Sequence, residues 1–157
     1  ISKFFLCFFA TAPSFVPLCV ILRKLQMKIF TETENLKLEF EHETYFLIEK
    51  RTGRILFEED FYGNPKCGII DPENNWAIIA GIHLTLWKPD KVRKFENENF
   101  KWIHSLRIKN LNIVEILIDP WSEISAIWEL NIETNELSKI KNFTKYSDKE
   151  YSESVKW

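Results

Sequence analysis

The sequence predicts an all-β protein: a single antiparallel meander domain, sandwich or open barrel, preceded by an apolar N-terminal segment that stands outside the fold. Three observations lead there. Apolar and polar residues alternate with a period of two along most of the chain after Met27, the pattern of a half-buried strand. All six Trp, all four Tyr and eight of the thirteen Phe also fall after Met27, and these residue types favour strands. Glycines number only four, and no long Ala-, Leu- or Lys-rich helical pattern occurs.

Met27 is the only methionine, and it marks a seam. The segment 1–26 carries Lys3, Arg23 and Lys24, no acidic residue, five Phe and two of the three Cys. Read as a secretory signal, it has Lys3 as its positive start and Phe4 to Ala10 as its apolar run, but Thr11 to Ser14 makes a poor cleavage site. Read as a membrane anchor, Phe4 to Leu22 is near the lower length limit, and Pro13 and Pro17 each remove a helical hydrogen bond. The third reading takes Met27 as the start, with residues 1–26 as translated leader; Arg23 and Lys24 fit purine-rich codons just upstream. The third reading is favoured and makes the protein cytoplasmic; the first two make it secreted or membrane-anchored. The β domain is then expected over residues 27–143, with a polar tail over 144–157.

The elements follow in order. Leu36, Leu38 and Phe40 alternate with Lys37, Glu39 and Glu41, which gives one dry and one wet face. Tyr45 to Glu49 and Arg54 to Glu58 flank Lys50, Arg51, Thr52 and Gly53, where Gly53 supplies the left-handed backbone of a short hairpin. The cluster Asp71, Pro72, Glu73, Asn74 and Asn75 turns into Trp76 to Ala80, apolar on both faces and so expected as a central strand. Gly81 breaks it, and Ile82, Leu84 and Leu86 alternate onward to Trp87. Over Pro89 to Phe100 a helix competes, because Pro suits a first helical position and Val92 and Phe95 are three apart. Lys101 to Ile108 and Ile113 to Ile118 read as strands around Asn110 and Asn112. The turn at Asp119, Pro120 and Trp121 leads to the apolar face of Ile124, Ala126, Trp128, Leu130 and Ile132, and Glu133 to Glu136 turns into Leu137 to Phe143. From Thr144 the chain is polar and reads as a solvated end.

Three strand–turn–strand units can be centred on Leu47, Leu86 and Leu130, 39 and 44 residues apart. That spacing resembles the blades of a WD-repeat propeller, with Trp87 and Trp128 near the ends of the corresponding strands. The Gly-His and Trp-Asp pairs of that family are absent, since Lys88 and Glu129 follow the tryptophans, and three blades do not close a ring. The rhythm is therefore read as that of an antiparallel meander.

Chemistry is sparse. Without Lys3, Arg23 and Lys24, 18 of the 21 basic residues remain against 23 acidic ones, a formal charge of −5 after Met27. That argues against nucleic acid, which needs a basic footprint. Single glycines give no phosphate-cradling loop and no cofactor motif. Cys67 is the only cysteine after Met27, so no disulfide forms within the domain; Lys66 beside it favours a thiolate, yet a small buried hydrophobe is the more economical reading. His42, His83 and His104 sit on different expected strands without ligand spacing, so no metal site is expected. Glu58, Glu59 and Asp60 are adjacent on a strand and point to opposite faces, which does not make a catalytic pair. Glu115 interrupts an apolar strand and needs a partner such as Arg107 if that strand is covered. Trp87, Lys88, Lys91, Arg93, Lys94 and Phe95 interleave basic and aromatic residues, but Glu96 and Glu98 cancel most of the charge.

The expected function is a non-enzymatic protein-binding domain, of the kind that inhibits a basic partner as an immunity protein does, with Trp102 and Trp121 as its contact residues. An alternative is a ligand-binding or hydrolytic β-barrel with an aromatic pocket of Trp76, Trp87 and Trp128, supplied with His83 or Glu115. The remaining alternative, a secreted or membrane-tethered structural protein, depends on residues 1–26.

Overall fold

The computed structural model describes residues 27–63 and 66–157. The expectations for residues 1–26 lie outside them. Twelve strands form in chain order: β1 (Lys28–Glu32), β2 (Leu36–Glu41), β3 (Thr44–Glu49), β4 (Ile55–Asp60), β5 (Cys67–Ile70), β6 (Ala77–Ala80), β7 (Leu84–Lys88), β8 (Lys91–Phe95), β9 (Ile103–Asn110), β10 (Ile113–Ile118), β11 (Ala126–Asn131) and β12 (Leu137–Asn142). They make three four-stranded sheets, β1-β2-β3-β4, β5-β6-β7-β8 and β9-β10-β11-β12, each an antiparallel meander in sequence order. The expected all-β antiparallel meander is thus present three times. Leu47, Leu86 and Leu130, the centres of the sequence rhythm, fall on β3, β7 and β11, the third strand of each sheet.

Local chemistry explains the turns. Gly53 adopts φ 71° in the β3–β4 hairpin, and its N–H donates to the Glu49 carbonyl at 2.8 Å, a backbone that residues with a Cβ adopt at a cost. Asp71 holds the β5–β6 turn by accepting the Asn75 N–H on its carboxylate at 2.9 Å, while Asn74 takes φ 65°. Over Pro89 to Phe100 the structure has β8 instead of a helix. Pro89 and Asp90 form a two-residue turn and Lys88 pairs with Lys91, so β8 zips back along β7. Its exposed outer position leaves Lys91, Val92, Arg93 and Lys94 in solvent, which is why it lacks a strand's apolar signature.

The second sheet is covered on both faces. From β6, Ala77 and Ile79 point into a core shared with Leu36, Leu38, Tyr45 and Leu47 of the first sheet. Ile78 and Ala80 point into a second core with Val114, Ile116 and Leu130 of the third. The expectation of a central strand at Trp76 to Ala80 is met, and it follows from apolar residues at successive positions. The first strands carry the contacts between sheets: β5 lies against β1 and β2 on one side and β9 on the other. At Gly68 of β5 the approach is so close that a Cβ would stand 2.7 Å from Leu38 Cδ2.

Candidate functional site

Because each sheet is a meander, alternate loops gather at the same end. A cleft of about 310 Å³ opens there between the second and third sheets, lined by Tyr62, Gly63, Lys66, Gly81, Ile82, Trp102, Ile103, His104 and Asp119. Its volume suits one large side chain or a small ligand.

Trp102 is the unusual member. It is 51% exposed and its backbone has φ 56°, a left-handed conformation that costs a bulky residue on the order of 1–3 kcal/mol. Hydrogen bonds on both sides impose it. The Asp119 N–H donates to the Trp102 carbonyl at 2.9 Å, and the Ile103 N–H donates to the Gly81 carbonyl at 2.7 Å. Both neighbouring sheets thus fix the backbone that carries the ring at the mouth of the cleft. Across the mouth Tyr62 is 81% exposed, on a loop held where the Phe61 N–H donates to the Glu43 carbonyl and the Gly63 N–H to the Glu43 carboxylate at 3.0 Å.

The polar lining is mixed in charge. His104 is half-buried, and burial together with the Lys66 ammonium holds its imidazole below the ordinary value, with Asp119 opposing. Neutral His104 is therefore the form present near pH 7. Its Nδ1 lies 2.6 Å from Ser105 Oγ, and its ring meets that of Trp121 edge-on at 5.6 Å. The acidic residues Glu41, Glu43, Glu58 and Asp60 lie at this same end, on the β2–β3 turn and the end of β4. Asp60 accepts a hydrogen bond from Thr44 Oγ1 at 2.6 Å.

The remaining candidates are dispersed. Cys67 does not open into the cleft: its Sγ lies 3.8 Å from the Ala80 carbonyl, and burial pushes the thiol up to about 12, which removes the thiolate that nucleophilic attack requires. His83 is buried, stacked on Phe61 with ring centroids 4.3 Å apart and 2.8 Å from the Glu59 carboxylate. Glu59 points inward while Glu58 and Asp60 face solvent, as adjacent strand positions must. Glu115 pairs with Arg107 across β9 and β10, the partner expected from sequence. The three tryptophans of the alternative pocket do not meet: Trp87 belongs to the core between the first and second sheets, while Trp76 and Trp128 pack into the core between the second and third. His42 sits at φ 56° in the β2–β3 turn. Among the described residues no group of three or more His, Cys, Asp or Glu is arranged to hold a metal, and no helix is long and apolar enough to cross a membrane.

Trp121, the other expected contact residue, is half-buried. Its Nε1 donates to the Glu150 carbonyl at 3.3 Å, and its ring packs on Tyr146 and Tyr151. Nothing in the sequence points to Tyr62, Ile82 and Asp119 as cleft residues; the break at Gly81 and the turn at Asp119 are the signals there.

No protein-family model matches the chain, and no curated protein matches it. Solved structures do. The WD40 β-propeller domain of Doa1 aligns with a TM-score of 0.51 at 10% identity, over 74% of this chain and 39% of that one. Hydrazine synthase of Kuenenia stuttgartiensis aligns with a TM-score of 0.51 at 12% identity, over 72% of this chain and 34% of that one. The chain spans well under half the length of either. At such identities the likeness concerns the fold, which is β-propeller-like, each four-stranded meander matching the build of a blade.

Proposed function

We propose that the chain is a non-enzymatic protein-binding domain that engages a basic partner through the loop end carrying Trp102 and Tyr62. The observation that carries this reading is Trp102, an exposed tryptophan held in a costly backbone conformation at the mouth of a cleft. Backbone strain of this kind persists where the surroundings over-determine it, and it gathers at ligand clamps. An exposed aromatic ring at the mouth of a pocket is the usual anchor of a protein interface. The acidic side chains at the same end of the fold and the formal charge of −5 after Met27 would speed encounter with a positive partner. The WD40 domain it resembles in fold is a class of structure built from the same blades, which is compatible with this reading.

The purified chain is used as bait in an extract of its source organism, and captured proteins are compared for the parent, Trp102→Ala, and His104→Ala. Trp102→Ala should weaken capture roughly 30-fold, the loss of a hot-spot contact of about 2 kcal/mol, and rising salt should slow association. Retention of the partner by Trp102→Ala is evidence against the reading. So is turnover of a substrate by the purified chain that His104→Ala abolishes, which would favour the ligand-binding or hydrolytic alternative at the same cleft.

A further inference from the structure

Around the cleft between the second and third sheets the charges do not cancel. Asp119 is half-buried in its lining, and its Oδ1 accepts the Trp121 N–H at 3.1 Å, which holds the carboxylate in place. Glu43 stands at the wall, since its carboxylate accepts the N–H of the lining residue Gly63 at 3.0 Å. Against these two stands Lys66, which is exposed, while neutral His104 adds no charge near pH 7. Among the described residues neither Asp119 nor Glu43 forms an ion pair. A charge acts more strongly where water is partly excluded, at Asp119, than in open solvent, at Lys66. The balance favours a cation.

The rim points the same way. Trp102 and Tyr62 face each other across the mouth, both exposed, and among the described residues neither ring is stacked on another ring or topped by a cation. Elsewhere in the molecule such faces are already taken: the Arg107 guanidinium lies 4.1 Å from the centre of the Trp157 ring, and that of Arg93 lies 5.2 Å from the centre of the Phe95 ring. The face of an aromatic ring is electron-rich and draws a cation. Of the two cationic side chains a protein partner can offer, the guanidinium is planar and weakly hydrated, so it lies flat on a ring while its edge N–H groups reach a carboxylate. A lysine ammonium is a strongly hydrated point charge and cannot divide itself in that way. The cleft, at about 310 Å³, has room for one such side chain.

We propose that the cleft is a guanidinium site, and that the basic partner enters it with one arginine side chain, its plane against the rings at the rim and its edge on Asp119. This rests on the reading of that end as a protein-binding face and names the group that the face selects.

The probe is the capped tripeptide acetyl-Gly-Arg-Gly-amide, titrated into the full chain and followed by NMR at the Trp102 indole and the His104 ring. Saturable shifts at both are expected. The citrulline peptide keeps the shape and loses the charge, and Asp119→Asn keeps an oxygen for the Trp121 N–H; each should weaken binding about tenfold, the loss of one charge-assisted hydrogen bond. Tyr62→Ser should weaken it about threefold, and Lys66→Met should strengthen it about threefold. Equal binding of the arginine and citrulline peptides, shifts confined to other residues, or an affinity unmoved by Asp119→Asn overturns the proposal. Should Asp119→Asn unfold the chain, Tyr62→Ser and Lys66→Met, both at exposed positions, are measured in its place, and an affinity that neither moves overturns it. Capture from extract that Trp102→Ala weakens but excess arginine peptide leaves unchanged overturns the guanidinium site and leaves the protein-binding reading in place. Peptide binding as expected with no protein captured supports the site and removes that reading.

Discussion

Gly68 is where the closeness of the first and second sheets can be measured by one substitution. It lies on β5, and a Cβ there would stand 2.7 Å from Leu38 Cδ2, 3.2 Å from the Ile78 carbonyl oxygen and 3.3 Å from Phe30 Cδ1. Ordinary contacts between carbons begin near 3.5 Å, so the neighbours must yield. Leu38 is fully buried, Phe30 is packed edge-on against Phe40 and Tyr45 at 6.0 and 5.8 Å, and the Ile78 carbonyl belongs to β6. Overpacking such a site costs about 1–3 kcal/mol, and alanine in place of glycine in a strand gives back roughly 0.5–1 kcal/mol. Gly68→Ala should therefore destabilise by about 1–2 kcal/mol, a drop in Tm of roughly 3 to 10 °C for a domain of this size. Urea denaturation of Gly68→Ala, of Leu38→Val and of the pair together closes a double-mutant cycle. Valine lacks the clashing methyl, so the pair should lose less than the sum of the singles, by about 0.5 kcal/mol or more. A stabilised or unchanged Gly68→Ala, or strict additivity in the pair, would refute the packing described here.

Further outcomes follow from the cores and from two of the shifted titrating groups, Glu59 and His104. Trp76→Ala should cost on the order of 3–5 kcal/mol, because the ring is buried between the second and third sheets, and Trp128→Ala measurably less, because that ring is only partly buried; denaturation that moves neither by about 1 kcal/mol contradicts the assignment. Burial raises the Glu59 pKa, but the His83 hydrogen bond and the charges of His83 and Lys94 more than offset this and hold it below 4.5. Its contribution to stability is present above pH 4.5 and lost as pH falls through the lowered folded value, so Glu59→Gln should flatten the acid limb of a stability–pH curve; an unchanged limb counts against the pair. His104 should titrate by NMR below 6.5, with stability lost as pH falls through that lowered value, and Lys66→Met should move the midpoint upward; a midpoint above 6.5 would show that the cleft wall is wetter than described.

What the sequence made legible was the alternation within strands and the punctuation between them. Leu36 to Glu41 was bounded as the strand found, and Lys50 to Gly53 was read as the turn it is, because Gly53 does there what other residues do poorly. The strand β1 went unread, because a register shift between Ile29 and Thr31 breaks the period of two over a segment of only five residues. The segment after Thr144 reads as a solvated end by composition, and its cover of the third sheet depends on three apolar side chains separated by polar ones. The cleft was legible only in fragments, in Trp102 as a contact residue and in the breaks at Gly81 and Asp119, and not as a cleft. Its walls come from four loops spread between Tyr62 and Asp119, which converge only once the sheets are stacked, and no residue type announces that Trp102 has φ above zero.

The aromatic surplus that suggested a contact surface turns out to be divided, and the division narrows the search for function. Trp87 fills the core between the first and second sheets, Trp76 and Trp128 pack between the second and third, Trp121 lies against Tyr146 and Tyr151 of the segment 144–157, and Trp157 of that segment packs on the third sheet. These five have a packing role, so their presence says little about partners. Trp102 has none of comparable size: half its surface faces solvent, and its backbone is held where the ring itself is a liability. Glycine at that position would relieve the strain at the cost of the ring. A fold that required only the turn would be more stable with it, and the contact surface proposed above is the reading under which tryptophan at this position has a use.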